Sequence, residues 1–142
     1  MKASARNQFT GTVTDVRIGT VNAEVHIGLK GGDTVVASIT KESAETLAIK
    51  TGLEVIALVK APQIIIVTDF GGYKLSARNQ LKGTVTQVKP GAVNAEVDIE
   101  LSGGEQVAAT VTNDSVDTLG LRKGQAVTAI FKAGAVILAV AG

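Results

Sequence analysis

The sequence predicts an all-β protein written twice, each copy holding five short strands and one short helix. Three observations predict it. Apolar residues make up 45% of the chain and aromatic residues only 3%, so the core has to come from Val, Ile, Leu and Ala. Runs rich in β-branched residues, with a period of two, recur between glycine-marked turns. The chain also repeats itself: SARNQ occurs at Ser4–Gln8 and Ser76–Gln80, and a shift of 72 residues lays 4–70 on 76–142 without a gap. Roughly half of the aligned positions are identical, which defines an internal duplication.

In the first copy, Thr12–Ile18 is β-branched and alternating, and reads as a strand. Gly19 punctuates it. Val21, Ala23, Val25, Ile27 and Leu29 then alternate with Asn22, Glu24, His26 and Gly28, the pattern of a half-buried second strand. Gly31-Gly32 marks a hairpin into the third strand, Thr34–Ile39. Over Thr40–Ile49 the pattern changes to a short helix, with Thr40 placed as its N-cap and Gly52 as its stop. Leu53–Lys60 is the fourth strand, Pro62 breaks it, and Ile64–Thr68 is the fifth. The second copy reads the same way: Thr84–Lys89, Val93–Leu101, Gln106–Val111, a cap at Thr112, a stop at Gly124, then Ala126–Lys132 and Ala135–Val140. The order β-β-β-α-β-β is the layout of an OB-like barrel. The expectation is therefore two five-stranded OB-like barrels in tandem, at residues 1–70 and 76–142, joined by a linker at 71–75. A unit of about 67 residues has a limited core and gains stability by pairing with its twin or with other chains.

Composition narrows the function. Without Cys there is no disulfide framework and no thiolate metal site, and a single His rules out a multi-histidine centre within one chain, so no ligands for a metal cation are expected. Lys plus Arg is 14 against 13 for Asp plus Glu, a net charge of +1, far from the basic face of a nucleic-acid binder. Only Phe9, Phe70, Tyr73 and Phe131 could stack on bases, and Phe9 is Leu81 in the other copy, so no nucleic-acid partner is expected. Met1-Lys2-Ala3-Ser4 leads into polar residues and not into an apolar signal region. Apolar stretches such as Ala133 to Ala141 are too short to span a bilayer. The expectation is a cytoplasmic protein with no membrane partner. There is no repeated His, no Cys and no pair of catalytic carboxylates, so neither an enzyme nor a catalytic cofactor is expected.

The polar residues kept in both copies carry the functional signal. Ser4/Ser76, Arg6/Arg78, Asn7/Asn79, Gln8/Gln80, Asn22/Asn94, Thr40/Thr112, Ser43/Ser115, Thr46/Thr118 and Lys60/Lys132 pair up, and Glu24/Glu96 is the one carboxylate identical in both. Most of these are donors. Taken singly, Thr40 and Ser43 are helix caps, Arg6 and Lys60 solvated charges, Asn22 a turn residue, Glu24 a solvated strand residue or a partner for a local base, and His26, whose twin is Asp98, a surface strand residue. Taken together, hydroxyls at a helix start with an Arg and a Lys suit a small tetrahedral oxyanion. Five or six charge-assisted bonds at about 1.5–3 kcal/mol each, less ordering costs, reach roughly −8 kcal/mol, which is micromolar binding.

SARNQ followed by GTV, then VNAEV, a Thr-x-x-Ser helix start and a late Lys-Ala resembles the Mop family, the molbindins and the molybdate-binding modules of molybdenum-responsive regulators and transporter ATPases. The resemblance covers both copies and points to the di-Mop type. It implies an OB-like fold, molybdate and tungstate as the bound anions, a role in molybdenum storage or homeostasis, and six Mop units per assembly, hence a homotrimer. A ligand-responsive sensor that docks on a partner protein shares the same binding chemistry and stays open. The resemblance further implies two classes of site. In one, at interfaces between units, Ser4 and Arg6 of one unit face Thr40, Ser43 and Lys60 of another, with Ser76, Arg78, Thr112, Ser115 and Lys132 as the second set. In the other, near the threefold axis, the turns Thr20-Val21-Asn22 and Ala92-Val93-Asn94 contribute, partly through main-chain N–H groups.

Overall fold

Each copy of the repeat folds as its pattern predicts until the last strand, which crosses to the other copy. The computed structural model describes residues Met1–Gly142. The first copy runs β1 (Asn7–Ile18), β2 (Asn22–Leu29), β3 (Thr34–Thr40), α1 (Lys41–Thr46), β4 (Glu54–Val59) and β5 (Ile65–Val67). The second runs β6 (Asn79–Pro90), β7 (Asn94–Leu101), β8 (Gln106–Thr112), α2 (Asn113–Leu119), β9 (Ala126–Phe131) and β10 (Ile137–Ala139). The ten strands form two five-stranded antiparallel sheets, β10-β4-β1-β2-β3 and β5-β9-β6-β7-β8. The fold is mostly β with one short helix per copy, as expected. No helix is long and apolar enough to cross a membrane.

The first strand of each copy begins earlier than its β-branched run suggests. Asn7, Phe9, Gly11 and Val13 are buried, while Gln8, Thr10, Thr12 and Thr14 face out. This alternation carries SARNQ into β1 although Asn and Gln have low strand propensity. Gly11 is required by packing and not by a turn: a Cβ there would lie 2.6 Å from Cγ2 of Ile27 and 2.7 Å from the carbonyl oxygen of Gly28. Its twin Gly83 meets the same constraint from Ile99 and Glu100. The register slips between Val13 and Asp15, and again between Val85 and Gln87. Such a bulge bends the strand. The first half of β1 pairs with β4 and the second half with β2, which curls the sheet.

The exchange of final strands is the main feature that the pattern of one copy does not reveal. Ile137, Leu138 and Ala139 pair with Leu58, Ala57 and Ile56 of β4, and Ile65, Ile66 and Val67 pair with Ile130, Ala129 and Thr128 of β9. Between β4 and β5 the chain makes a 3-10 turn over Ala61–Gln63, entered through Pro62, and no tight hairpin folds β5 back on its own sheet. Leu138 and Ile66 are buried by the exchange, each stabilising the pairing by about 1.5–3 kcal/mol. One cluster of 25 buried residues, from Phe9 to Leu138, runs through both copies.

Two asparagines lock the exchange. The Asn7 side chain donates to the carbonyls of Ala108 (2.9 Å) and Val59 (3.2 Å) and accepts from the Ala108 N–H (2.7 Å). Asn79 does the same to Val36, donating to its carbonyl and accepting from its N–H at 2.8 Å each. Both amides are buried. Each caps an outward-facing peptide of an edge strand, β8 or β3, which belongs to the other copy. A buried peptide group left without that partner costs about 1–3 kcal/mol. Gly31 and its twin Gly103, related by the approximate twofold axis between the copies, touch so closely that a Cβ on either would overlap the other's Cα.

The helices begin as predicted and end sooner. Thr40 and Thr112 cap them, each Oγ1 accepting from the N–H of Ser43 (3.0 Å) or Ser115 (3.1 Å). The expected stops, Gly52 and Gly124, instead form the turns into β4 and β9, donating to the carbonyls of Val13 and Val85. Helix α2 ends on Gly120 in the left-handed region, and the twin position holds Ala48 at φ 52°. A left-handed L-residue costs roughly 1–2 kcal/mol. Ala48→Gly is therefore expected to raise stability by about 0.5–1 kcal/mol in urea melts. An unchanged or lower midpoint would contradict this.

Candidate functional site

The exchanged strands build two matching clefts. In the first, of about 400 Å3, Ser4 and Arg6 lead into β1, Lys60 follows β4, and Ala61 and Pro62 form the 3-10 turn, while Ile137 and Thr110 come from the second copy. In the second, of about 480 Å3, Ser76, Arg78, Lys132 and Ala133 meet Gln63 and Ile65 of the first copy. Ile65 and Ile137, each about 60% exposed, are the walls that the exchange supplies. The structure thus brings together Ser, Arg and Lys of one copy and closes each cleft with the other, so Lys60 and Lys132 stand beside the Ser and Arg of their own copy and not, as expected, with the helix-start hydroxyls of a facing unit.

Thr40 and Ser43 lie elsewhere within the chain. They share a hollow of about 310 Å3 with Asn22, on the far side of Ile137. The Thr40 hydroxyl donates to Ser43 Oγ at 2.8 Å while accepting from the Ser43 N–H, so the Ser43 hydroxyl hydrogen is not spent on Thr40. Thr112 and Ser115 repeat this arrangement. Asn22 stands opposite Thr40 on the neighbouring strand, and Asn94 opposite Thr112. The turn before Asn22 is pinned by Gly19 N–H to Asn22 O and by Lys41 N–H to Val21 O, both 2.8 Å. The N–H groups of Thr20, Val21, Ala92 and Val93 are not spent on the chain's own backbone. Val21 and Val93 are 70% and 73% exposed. Each turn therefore sits beside the helix start of its own copy, apart from the Ser–Arg–Lys clefts of the same chain.

The arginines are engaged across the copies. Arg6 forms an ion pair with Glu96, and Arg78 with Glu24. Glu24 also receives His26 Nε2 at 2.9 Å and Arg17 Nη1 at 3.5 Å, and Glu96 receives Lys89 Nζ at 3.5 Å. The His26 hydrogen bond, with the Arg78 pair behind it, holds the Glu24 carboxyl below the usual glutamate range, against the opposing effect of partial burial. The sequence singled out the Arg and Lys positions as donors. It did not expose these carboxylate partners, nor the role of Asn7 and Asn79. Their recurrence in both copies was the available signal, but a repeated Asn or Glu does not say which strand it will meet.

Fold and clefts together define a class: a β-protein of two interlocked repeats whose clefts offer hydroxyl, ammonium and guanidinium donors. The chain belongs to the TOBE domain family, whose pattern matches residues 3–66 and 75–138, and the molbindin resemblance holds. A crystal structure of the cytoplasmic molybdate-binding protein ModG, with molybdate bound, is 51% identical, covers 99% of this chain and 100% of its own, and superposes with a TM-score of 0.97. The molybdenum transport protein ModE of Azotobacter vinelandii is 49% identical over all of this chain and 52% of its own length. The molybdenum-pterin-binding protein MopA of Rhodobacter capsulatus is 40% identical over 99% of this chain and 53% of its own. The chain spans about half the length of the curated relatives it matches.

The depressed Glu24 sets a pH signature. Its stabilising contribution is present above the unfolded value of 4.5 and is lost as pH falls through the lower folded value. Glu24→Gln is thus expected to be less stable than the parent near pH 7, with the gap closing as pH falls below 4.5 in urea midpoints. A gap that stays constant with pH would contradict the assignment.

Proposed function

We propose that this protein binds molybdate, and tungstate alongside it, as a cytoplasmic store that buffers molybdenum. The observation that carries the reading is the pair of composite clefts with their matching Ser, Arg and Lys, in a chain that aligns end to end with a molybdate-bound ModG. Molybdate at neutral pH is a tetrahedral dianion that accepts at every oxygen. A site for it needs donors and must keep ionised carboxylates out of contact. Lys60 and Lys132 supply charge, Ser4 and Ser76 supply hydroxyls, and Arg6 and Arg78 supply guanidinium groups already oriented by Glu96 and Glu24.

The remaining donors complete the site between chains. In this reading three chains assemble so that Ser4, Arg6 and Lys60 of one unit approach Thr40 and Ser43 of another, with Ser76, Arg78 and Lys132 meeting Thr112 and Ser115 likewise. The hydroxyl hydrogens of Ser43 and Ser115, not spent on the caps, are the donors that would reach across. The exposed turns Thr20-Val21-Asn22 and Ala92-Val93-Asn94 gather at the threefold axis and offer main-chain N–H groups to a second class of anion. The repeats at 1–70 and 76–142, linked by 71–75, act as the two Mop units of each chain, and six units close the ring. A second reading, a ligand-responsive sensor that docks on a partner protein, is favoured by one observation: a relative 41% identical over 98% of this chain is a transcriptional regulator, ModE of Yersinia pestis.

Calorimetric titration of ligand-stripped protein is the test. Molybdate is expected to bind in more than one class at micromolar Kd or tighter, with sulfate silent, and to raise the melting temperature by mass action. Lys60→Ala with Lys132→Ala removes a charge-assisted bond from each cleft and should weaken that class by at least tenfold. Unchanged affinity and stoichiometry in the double variant would overturn the site assignment. Silence with molybdate would overturn the function.

A further inference from the structure

The two Arg–Glu pairs are built alike but are surrounded differently. Glu24 is reached by Arg78 from the second copy, by Arg17 from β1 and by His26 from its own strand. Asp15 of β1 lies across from His26 in register and binds Arg17 Nε at 2.9 Å. β3, on the other side of β2, carries no charged residue and places Val36 across from His26. Around Glu96 the partners are Arg6 and Lys89, Asp98 stands in the place of His26, Gln87 replaces Asp15, and β8 likewise carries no charge. One pair therefore has an imidazole beside its carboxylate, a side chain able to gain a proton, and the other has none.

Building on the oxyanion reading of the clefts, we propose that His26 is a positioning residue for the Arg78 cleft: its protonation occupies Glu24, frees Arg78 to turn to an anion beside Lys132 and Ser76, and makes this cleft alone bind more tightly as pH falls. With His26 neutral, Glu24 has Arg78 as a principal counter-charge. Arg78, Arg17, Glu24 and Asp15 then sum to zero. A proton on His26 gives Glu24 a second cation at 2.9 Å and leaves the group with a net positive charge. Both effects favour a dianion in the cleft. Glu24 stays ionised throughout, because its carboxyl is held below the usual range. The Arg6 cleft has no equivalent group, so its affinity is independent of pH over the same interval.

His26 is the only histidine in the chain, so its ring Cε1–H resonance reports it alone. The experiment measures molybdate Kd by calorimetry on the full chain at about pH 6 and pH 8, together with the His26 titration midpoint with and without molybdate. One class of sites should bind about three- to tenfold more tightly at the lower pH, within the tenfold per unit that one coupled proton allows. Linkage requires the His26 midpoint to rise on loading. His26→Gln should abolish the difference between the two pH values. His26→Asp, the residue that the other copy carries at this position, should likewise abolish the difference. Tight molybdate binding that does not change with pH, with the His26 midpoint unmoved, overturns this coupling and leaves the binding function standing. No molybdate binding at either pH overturns the function and the coupling together.

Discussion

Three residues at each sheet edge, Ile137–Ala139 on β4 and Ile65–Val67 on β9, decide how the rest of the chain is arranged. A repeat that kept its own fifth strand would be a small unit with a small core. By exchanging that strand, each copy buries an apolar residue of the other, Leu138 or Ile66, and a single core extends through both. The SARNQ motif then follows from the exchange. Its Asn reaches the edge strand of the other copy and satisfies a peptide that would otherwise be buried without a partner. The close approach of Gly31 and Gly103 is the same constraint at the axis, where no side chain fits.

The functional geometry inherits this arrangement. Lys60 and Lys132 stand at the points where the chain leaves one sheet for the other, and the clefts beside them are closed by Ile137 and Ile65, the arriving strands. Each arginine is oriented by a carboxylate that belongs to the opposite copy. Charge on a cleft is therefore set by both halves. An anion held there would pull on the contacts that join the halves, so ligand binding and the integrity of the pair are two aspects of one set of interactions.

Much of this was legible in the sequence. The duplication, the period-two strands, the Thr40 and Thr112 caps and the glycine hairpins depend on local chemistry and were read directly. The recurrence of Ser, Arg and Lys marked the cleft residues. The start of β1 was missed because Asn7 and Gln8 are poor strand formers, and tertiary pairing with Val59 and Leu58 overrides that preference. The early end of α1 was missed because Ala48 takes a left-handed conformation that only its twin Gly120 announces. The strand exchange could not be read, since Ile65–Val67 has the same pattern whichever sheet it joins. The partners of Asn7, Glu24 and Glu96 depend on that exchange and were hidden with it.

Native-state hydrogen exchange on the full chain tests the interlocking of the copies most directly. The amides of Ile65–Val67 and Ile137–Ala139 that bond to β9 and β4 should open only with global unfolding, at the same free energy as the central strands of both copies, and saturating molybdate should raise protection in both halves together. Two halves that open at distinct free energies, or ligand protection confined to one of them, would contradict the account.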